Sequence, residues 1–305
     1  MDRILSPHWA NGRLRLILSS MCNIDCYYCH NEGSPKGQRL FPASLFQRVL
    51  QLVELQAPSN VTFTGGEALL HPDLDRFASS LKPYCASLTL VTNGLLLKAD
   101  RLCGLQNHGI TKIRLGIDSL YREKSRPSRG TLPSFDPITT IDMIATAGMQ
   151  CELNIVLTKF NIDDIPMMLK FCARKKLSAK VFEHVEVAGI HGGLIQMHST
   201  PVVGFEQFLG VVSKAEIPLR VREAPELKGA NQILEGDGFR WRYCRYLCPF
   251  GLCYVTGTRI DPTGRTYACM GSGKFQIISE DEPLASSIGK IDLETSVGCG
   301  LRNGR

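Results

Sequence analysis

The sequence predicts an α/β protein built on a parallel β-sheet, and two observations carry that prediction. Short apolar runs alternate with segments of helical periodicity over the first two-thirds of the chain. This strand–helix unit recurs six times at intervals of about 30 residues, which is typical of parallel strands joined by right-handed crossovers. Functional residues of such folds follow the carboxyl ends of the strands, and the unusual loop sequences of this chain lie there.

The elements follow one another in a regular order. The predicted strands are residues 14–18, 60–63, 88–91, 113–117, 152–157 and 180–187. The predicted helices are residues 42–56, 74–81, 99–107, 138–147 and 163–174, and Asp163 is the expected N-cap of the last helix.

The regular alternation ends near residue 190, which divides the chain into two predicted domains. Residues 1–200 hold the strand–helix units, and residues 201–305 form a C-terminal extension. From Gly236 onward the extension is rich in glycine, cysteine and turn-forming residues. This composition indicates a small domain held together by bound metal.

The composition excludes several classes of protein. An apolar fraction of 44% over 305 residues is normal for a globular chain and excludes wholesale disorder. The net charge of +6 is spread along the sequence, so it favours an anionic substrate and no nucleic acid is expected as a partner. The sequence shows neither a signal peptide nor a run of about 18–20 apolar residues. We therefore expect a cytoplasmic protein without a membrane partner.

Three cysteines stand close together directly after the first predicted strand. Cys22, Cys26 and Cys29 are separated by spacings of four and three. Three thiolates on one tight loop can bind three irons of a [4Fe–4S] cluster and leave the fourth iron open. Structural zinc usually takes four protein ligands, and His30 is the nearby candidate for the fourth. The spacing favours iron–sulfur and leaves zinc as the alternative.

The cysteine loop resembles that of the radical S-adenosylmethionine (SAM) enzymes, in which C-x3-C-x2-C follows the first strand of a partial barrel. Tyr28 matches the aromatic position before the third cysteine. The segment Gly65-Gly66-Glu67 after the second strand resembles the family segment that meets the amino group of SAM. Two glycines allow close backbone approach, and a carboxylate accepts hydrogen bonds from an ammonium group.

The resemblance implies both a fold and a chemistry. The fold is a partial (β/α)6 TIM-like barrel with a small cysteine-rich extension. One electron from the cluster splits SAM bound at the open iron, and the 5′-deoxyadenosyl radical then removes a hydrogen atom from the substrate. The cofactor carries this step, and the protein positions the reactants and excludes water. The resemblance also implies an external electron donor of the flavodoxin or ferredoxin type.

Within the family, residues 13–187 resemble most the GTP 3′,8-cyclase branch of molybdenum-cofactor biosynthesis. The resemblance implies substrate-binding roles for Arg15, Lys159 and Arg259, which suit a phosphorylated substrate such as a nucleotide. It implies cofactor-binding roles for six residues, namely Tyr28, Gly65, Gly66, Glu67, Asn93 and Gly116. The chain departs from the branch at Val91, where the branch has a threonine, and in having one arginine at Arg259 where the branch has two.

A second cysteine group resembles the auxiliary-cluster extensions of Twitch or SPASM type, which open with C-x(9–15)-G-x4-C. The matching residues are Cys253, Gly264 and Cys269, and the segment 261–264 predicts a hairpin turn between them. With Cys244 and Cys248 these cysteines would supply four ligands to a second [4Fe–4S] cluster. A zinc knuckle is the alternative, and Cys299 is a fifth candidate ligand. We expect Trp241 and Tyr243 to pack over this cluster or to cover its edge.

Three functions therefore stay open from the sequence. The first is a radical SAM enzyme that acts on a small phosphorylated molecule or nucleotide. The second is a radical SAM maturase that modifies a peptide or a natural-product intermediate. The third is a zinc-stabilised binding module without radical chemistry.

The remaining polar residues and cysteines are interpreted as structural. Glu183 and His184 alternate on the sixth strand, so at most one is expected to face the cavity. The arginines outside the motifs could contact anions, but exposed arginines are usually solvated, so a structural role is favoured for them. The cysteines outside the two groups act as small apolar residues. This interpretation covers Arg13, Arg114, Arg126, Arg129, Cys85, Cys103, Cys151 and Cys172.

Overall fold

The fold is given by a computed structural model of the chain. The structure describes residues 9–29, 36–121, 129, 135–184, 203–223, 231–244, 257–267 and 275–291. The expectations for His30, Arg126, Cys248, Cys253, Cys269 and Cys299 lie outside the described residues. Among the described residues, no helix combines the length and the apolar character that crossing a membrane requires.

Six parallel strands pair in chain order and form the centre of one sheet. These are β1 (Arg13–Ser19), β2 (Asn60–Gly65), β3 (Leu88–Thr92), β4 (Ile110–Gly116), β5 (Gln150–Leu157) and β6 (Ser178–Glu183). Five helices alternate with them: α1 (Ala43–Leu55), α2 (Leu74–Leu81), α3 (Ala99–Asn107), α4 (Pro137–Thr146) and α5 (Ile165–Lys175). The predicted α/β class and the six strands are confirmed within the described residues, and the sheet is open. Residues 185–187 of the sixth predicted strand lie outside the described residues.

The C-terminal part of the chain joins the same sheet. Its elements are α6 (Phe205–Val212), β7 (Arg220–Glu223), β8 (Asn231–Gly236), β9 (Phe239–Cys244), β10 (Thr258–Ile260), β11 (Arg265–Tyr267), β12 (Gln276–Ile277) and α7 (Leu284–Ile291). Strand β9 pairs parallel with β6, and β10 pairs parallel with β1. The parallel region therefore has eight strands, and the strand order is β12-β11-β10-β1-β2-β3-β4-β5-β6-β9-β8-β7.

Each strand presents an apolar face to the helices and a polar face to the other side. Leu153 and Ile155 of β5 belong to the core. Gln150 and Glu152 of the same strand lie on the opposite face. The alternation follows because successive side chains of a strand point to opposite faces. Burying an aliphatic side chain of this size contributes about 1.5–3 kcal/mol. The polar face becomes the interior of the partial barrel.

The expectation for Trp241 and Tyr243 is wrong. Both are fully buried on the helix side of β9, where the Tyr243 ring lies 4.8 Å from that of Phe205 and 4.7 Å from that of Phe208. Cys244 comes next in the strand, so its side chain points to the opposite face. The two aromatic residues therefore stabilise the core and do not cover the Cys244 thiol.

The expected N-cap of α5 is also wrong by one residue. A 3-10 turn spans Ile162–Asp164, and Asp164 is the N-cap residue of the helix that starts at Ile165. The carboxylate of Asp164 makes no cap bond, because it accepts a hydrogen bond from the Ser119 hydroxyl at 2.7 Å. Asp164 therefore ties the start of α5 to the loop after β4.

Candidate functional site

The cysteine loop starts where β1 ends and is fastened to the loop after β2. The backbone N–H of Gly66 donates to Ser19 O at 2.7 Å, and that of Glu67 donates to Met21 O at 2.7 Å. Beyond this point Cys22, Cys26 and Cys29 are half-buried, and none of them forms a disulfide. The structure therefore brings the predicted cysteine and Gly-Gly-Glu segments side by side.

Gly65 is required for this close approach. Its φ is +144°, and a Cβ atom at this position would lie 2.4 Å from Ser19 O and 2.9 Å from Ser19 N. Any other residue would push the two loops apart. The close approach of Ser19 therefore explains why a glycine stands at this position of the Gly-Gly-Glu segment.

Glu67 acts as a buried hydrogen-bond acceptor at the ends of β2 and β3. It is 0% exposed, and its Oε1 accepts from Leu69 N at 3.0 Å while Oε2 accepts from Asn93 N at 2.8 Å. Burial raises the pKa of this carboxyl group, and the two backbone bonds oppose that rise. The Thr92 side chain also hydrogen-bonds this carboxylate, so three groups of the protein hold it in place.

Asn93 continues this network into the cysteine loop. Its Nδ2 donates to Asn23 Oδ1 at 2.7 Å and lies 3.9 Å from the Cys22 sulfur. The residue is thus more than a turn former, because it joins the end of β3 to the first cysteine.

Tyr28 and Arg129 enclose Cys26 from the side of β4. The Tyr28 hydroxyl donates to both carboxylate oxygens of Asp118, at 2.7 and 2.8 Å. Arg129 is 4% exposed, its Nη1 donates to Gly116 O at 2.7 Å, and its guanidinium also hydrogen-bonds the Cys26 thiol. Burial raises the pKa of Cys26, while the Arg129 charge lowers it.

The interpretation of Arg129 as a solvated structural residue is therefore wrong. It lies in a stretch of sequence that carries no metal-ligand spacing and no periodic pattern, so no signal in the sequence marked it. Only the contact with Cys26 shows that it belongs to the site.

The three thiols fit an iron–sulfur cluster by chemistry and by position. They are soft ligands on one loop, partly accessible, and a buried guanidinium beside Cys26 offsets negative charge. Within the described residues, no three Cys, His, Asp or Glu side chains stand close enough together to share one metal ion. In a [4Fe–4S] cluster each cysteine binds a different iron, so the three thiols need not share one ion.

The predicted substrate-binding residues lie at two places. Arg15 and Arg259 are direct partners in the β1–β10 pairing, so both side chains lie on the interior face of the sheet. Lys159 lies beyond the end of β5, where it is exposed and its Nζ stands 5.1 Å from the centre of the Phe160 ring. The structure brings the two arginines together and leaves the lysine at the opening.

A cationic group on β4, β5 and β6 was missed by the sequence analysis. Glu152 Oε2 lies 2.6 Å from Arg114 Nε and 3.3 Å from the Nζ atoms of Lys112 and Lys180. Burial raises the pKa of Glu152, but the three cations outweigh that effect and lower it to about 2. Arg114 is thus not a solvated surface residue. The sequence signal that could have revealed this group is the recurrence of charged residues at alternate positions of otherwise apolar strands.

The aromatic ring of Tyr27 joins the cysteine loop to the ends of β5 and β6. Its ring lies 6.1 Å from that of Phe160 and 5.5 Å from that of His184. Glu183 points to the opposite face of the sheet, where its carboxylate accepts a hydrogen bond from the Tyr243 hydroxyl at 2.8 Å. Of the neighbouring pair on β6, His184 therefore lies nearer to the opening and Glu183 belongs to the core, as the alternation predicted.

One predicted ligand of the second cluster lies within the described residues. Cys244 ends β9 on the interior face, where burial raises the pKa of its thiol and the adjacent Arg242 lowers it. The hairpin predicted at residues 261–264 is confirmed, because β10 and β11 pair antiparallel on either side of it. Asp261 Oδ1 accepts from Thr263 N at 2.8 Å, which fixes this turn.

Three curated relatives of the chain are named as GTP 3′,8-cyclases or probable GTP 3′,8-cyclases. The chain is 27% identical over 294 residues to the probable GTP 3′,8-cyclase of Pyrococcus abyssi, covering 95% of this chain and 89% of that protein. It is 25% identical over 270 residues to the GTP 3′,8-cyclase of Aquifex aeolicus, covering 86% and 82%. The match to the probable GTP 3′,8-cyclase of Pyrococcus horikoshii is 28% over 173 residues and spans only 55% of that protein.

A similar solved structure supports the fold, and a family signature gives the class of protein. Streptococcus suis SuiB bound to its precursor peptide SuiA matches with a TM-score of 0.66 at 17% identity, over 97% of this chain and 70% of that one. That likeness concerns the fold, a partial barrel. The Radical SAM superfamily signature matches residues 16–172, which is just over half of the chain. The chain therefore belongs to the radical SAM superfamily.

Proposed function

We propose that this protein cleaves SAM reductively and uses the resulting radical on a small phosphorylated molecule, as a GTP 3′,8-cyclase-like enzyme. One observation carries the proposal. The cysteine loop, the Gly-Gly-Glu segment and the ends of β3 and β4 are hydrogen-bonded into one site at the carboxyl edge of the sheet. The zinc-stabilised binding module loses its support, because the chain belongs to a family of radical enzymes.

Cys22, Cys26 and Cys29 would hold a [4Fe–4S] cluster. When bound, this cluster supplies the one-electron cleavage of SAM. An external donor of the flavodoxin or ferredoxin type is part of the proposal, because amino-acid side chains do not supply low-potential electrons. A reducing compartment such as the cytoplasm suits three thiols on one loop that form no disulfide.

The surrounding residues orient SAM and exclude water. Gly65 brings the two loops together so that the backbone of the Gly65-Gly66 segment can meet the ligand, and the Glu67 carboxylate can accept a hydrogen bond from an ammonium group. Gly116 ends β4 beside this site, and a Cβ atom there would make an ordinary contact at 3.6 Å from Thr92 O. Arg129 offers a buried positive charge to a carboxylate. These contacts fix the reacting groups before any bond breaks.

The substrate is proposed to carry phosphate. Arg15 and Arg259 face the interior side by side, and Lys159 stands at the opening. Guanidinium groups bind phosphate oxygens through paired hydrogen bonds. Relatives named GTP 3′,8-cyclase match over most of the chain, which supports a nucleotide as the substrate.

The first test is SAM cleavage under anaerobic conditions. The reconstituted protein with SAM and dithionite should release 5′-deoxyadenosine, and Cys26→Ala should abolish that release. Cys103→Ala is the matched control, because Cys103 is exposed on α3 and outside the site. Intact SAM with the wild-type protein would refute the proposal, as would full activity of Cys26→Ala.

A second measurement concerns the auxiliary cluster, which is proposed to use Cys244, Cys248, Cys253 and Cys269. Two cubanes require about eight irons and eight sulfides per chain. Cys244→Ala should lower the iron content toward about four while the first cluster remains. Zinc in place of iron at this cysteine group would contradict the second cluster only.

A further inference from the structure

One carboxylate oxygen holds three cations inside the partial barrel. Glu152 Oε2 contacts Arg114 Nε at 2.6 Å, Lys112 Nζ at 3.3 Å and Lys180 Nζ at 3.3 Å. Glu152 is 9% exposed and Lys180 is 7% exposed. The charges meet because Arg114 is the register partner of Glu152, and Lys180 follows two residues beyond Glu152's partner on β6. The group is therefore a fixed part of the sheet.

The same face carries a surplus of positive charge. Arg15 and Arg242 are close enough to Lys180 to act on it electrostatically, and Arg13 is similarly close to Arg114 and Glu152. Six cations thus share the surroundings of this one carboxylate. Positive charge held away from bulk water is costly unless a counter-ion balances it. A bound anion would supply that balance.

Several donors of this face remain open to a ligand. Arg114 uses only Nε for Glu152, and its two Nη atoms make no hydrogen bond to any described residue. The Nε of Arg242 is buried and also lacks a hydrogen-bond partner in the described part of the chain. Such guanidinium donors match phosphate oxygens in both charge and geometry.

We infer that Lys112, Arg114, Lys180 and Arg242 form an anion-binding site inside the barrel that takes a polyphosphate group of the substrate, with Glu152 holding the first three in place. The inference rests on the proposed function and adds residues that no sequence motif marked. Burial lowers the pKa of Lys180 well below its ordinary value, so its charge is left out of the count. The five other cations of this face, Arg13, Arg15, Lys112, Arg114 and Arg242, leave a surplus of four positive charges over the one carboxylate. That surplus suits two or three linked phosphates better than a single phosphate.

The direct test is titration of the reconstituted holoenzyme with inorganic tripolyphosphate by calorimetry. Arg114→Gln and Lys180→Gln should each weaken tripolyphosphate binding at least about tenfold. The affinity of Arg114→Lys should lie between that of these variants and that of the wild type. Lys175→Gln is the matched control, because Lys175 pairs with Asp142 at 2.8 Å on the exposed surface. Its affinity should stay within about twofold of the wild type.

A second measurement uses the unaltered protein, in case a variant fails to fold. Tripolyphosphate should slow acylation of Lys112, detected by mass spectrometry, and leave Lys175 unaffected. Unchanged labelling of Lys112, or folded variants that bind as tightly as the wild type, would overturn the site. Orthophosphate binding as tightly as tripolyphosphate would overturn the polyphosphate assignment.

These titrations contain neither SAM nor reductant. A wild-type protein that binds tripolyphosphate but leaves SAM intact would refute the proposed function and leave the anion site standing. The reverse result would refute the anion site alone.

Discussion

The hydroxyl of Tyr28 donates to both carboxylate oxygens of Asp118, at 2.7 and 2.8 Å. This bond joins the cysteine loop to the end of β4, ninety residues away in sequence. Asp118 is 1% exposed, so its carboxylate depends on such donors in place of water. Burial, followed by the Asp118 charge, raises the pKa of Tyr28 well above its usual value. The phenol therefore remains a donor at any physiological pH.

Tyr28→Phe should destabilise the protein by about 1–3 kcal/mol, because it deprives a buried carboxylate of a donor. Urea unfolding of the wild type and the variant measures this difference. Tyr84→Phe is the control, since Tyr84 donates to Glu54 at 3.0 Å at an exposed position and should leave stability nearly unchanged. Equal effects of the two changes would contradict the structural role of the Tyr28 bond.

Gly65→Ala should destabilise the protein by roughly 1–3 kcal/mol and should impair reconstitution of the cluster. The added Cβ would stand 2.4 Å from Ser19 O, so the loops after β1 and β2 must separate. Thermal unfolding and iron content report the two effects.

Replacing a second glycine, Gly210, is expected to raise the stability of the protein. Gly210 lies within α6, and a Cβ there meets nothing within 4 Å. Gly210→Ala should therefore stabilise the protein by about 0.5–1 kcal/mol. A Gly65→Ala variant that gains stability in the same way would show that the two loops do not approach as described.

Glu67→Gln should loosen the loop between β2 and β3. The two carboxylate oxygens accept hydrogen bonds from Leu69 N and Asn93 N. The amide of glutamine has an NH₂ donor in place of one of these acceptor oxygens. The loss of one buried bond should cost about 1–3 kcal/mol and weaken SAM binding, measured by unfolding and by calorimetry. The control Glu235→Gln alters an exposed ion pair with Arg222 and should leave both quantities nearly unchanged.

The stabilisation provided by Glu152 should depend on pH. Its pKa of about 2 in the folded chain lies below the ordinary value of 4.5. A carboxyl group whose pKa is lowered by folding stabilises the folded state at pH values above its ordinary pKa. That contribution is lost as the pH falls from about 4.5 toward about 2.

The wild type should therefore exceed Glu152→Gln in stability by about 3 kcal/mol at pH 6, and the gap should narrow at pH 3. Urea unfolding of cluster-free protein at both pH values measures it. A gap that stays constant between these pH values would show that Glu152 is not held ionised by its three cations.

Local features of this chain were predictable from its sequence, whereas contacts between distant residues were not. The six parallel strands were predicted because apolar periodicity is a property of each segment by itself. The cysteine spacing and the Gly-Gly-Glu segment are equally local. The described structure places both segments in one site, fastened by the bonds from Gly66 to Ser19 and from Glu67 to Met21.

Other features needed the neighbours that folding supplies. Trp241 and Tyr243 were expected near the second cluster because they precede Cys244, yet the strand alternation sends them to the helix side. Arg114 and Arg129 were read as solvated, and both are buried against groups far away in sequence. A charged residue shows its role only when its partner is known.

The sequence by itself determined the class of fold, the cysteine loop and the resemblance to radical SAM enzymes, because each depends on residues within one short segment. Only the tertiary structure decided that β9 and β10 extend the parallel sheet, that Arg129 reaches Cys26, and that three cations meet on Glu152. The physical reason is that strand pairing and charge pairing join distant residues, and the energy of each contact depends on burial that exists only after folding.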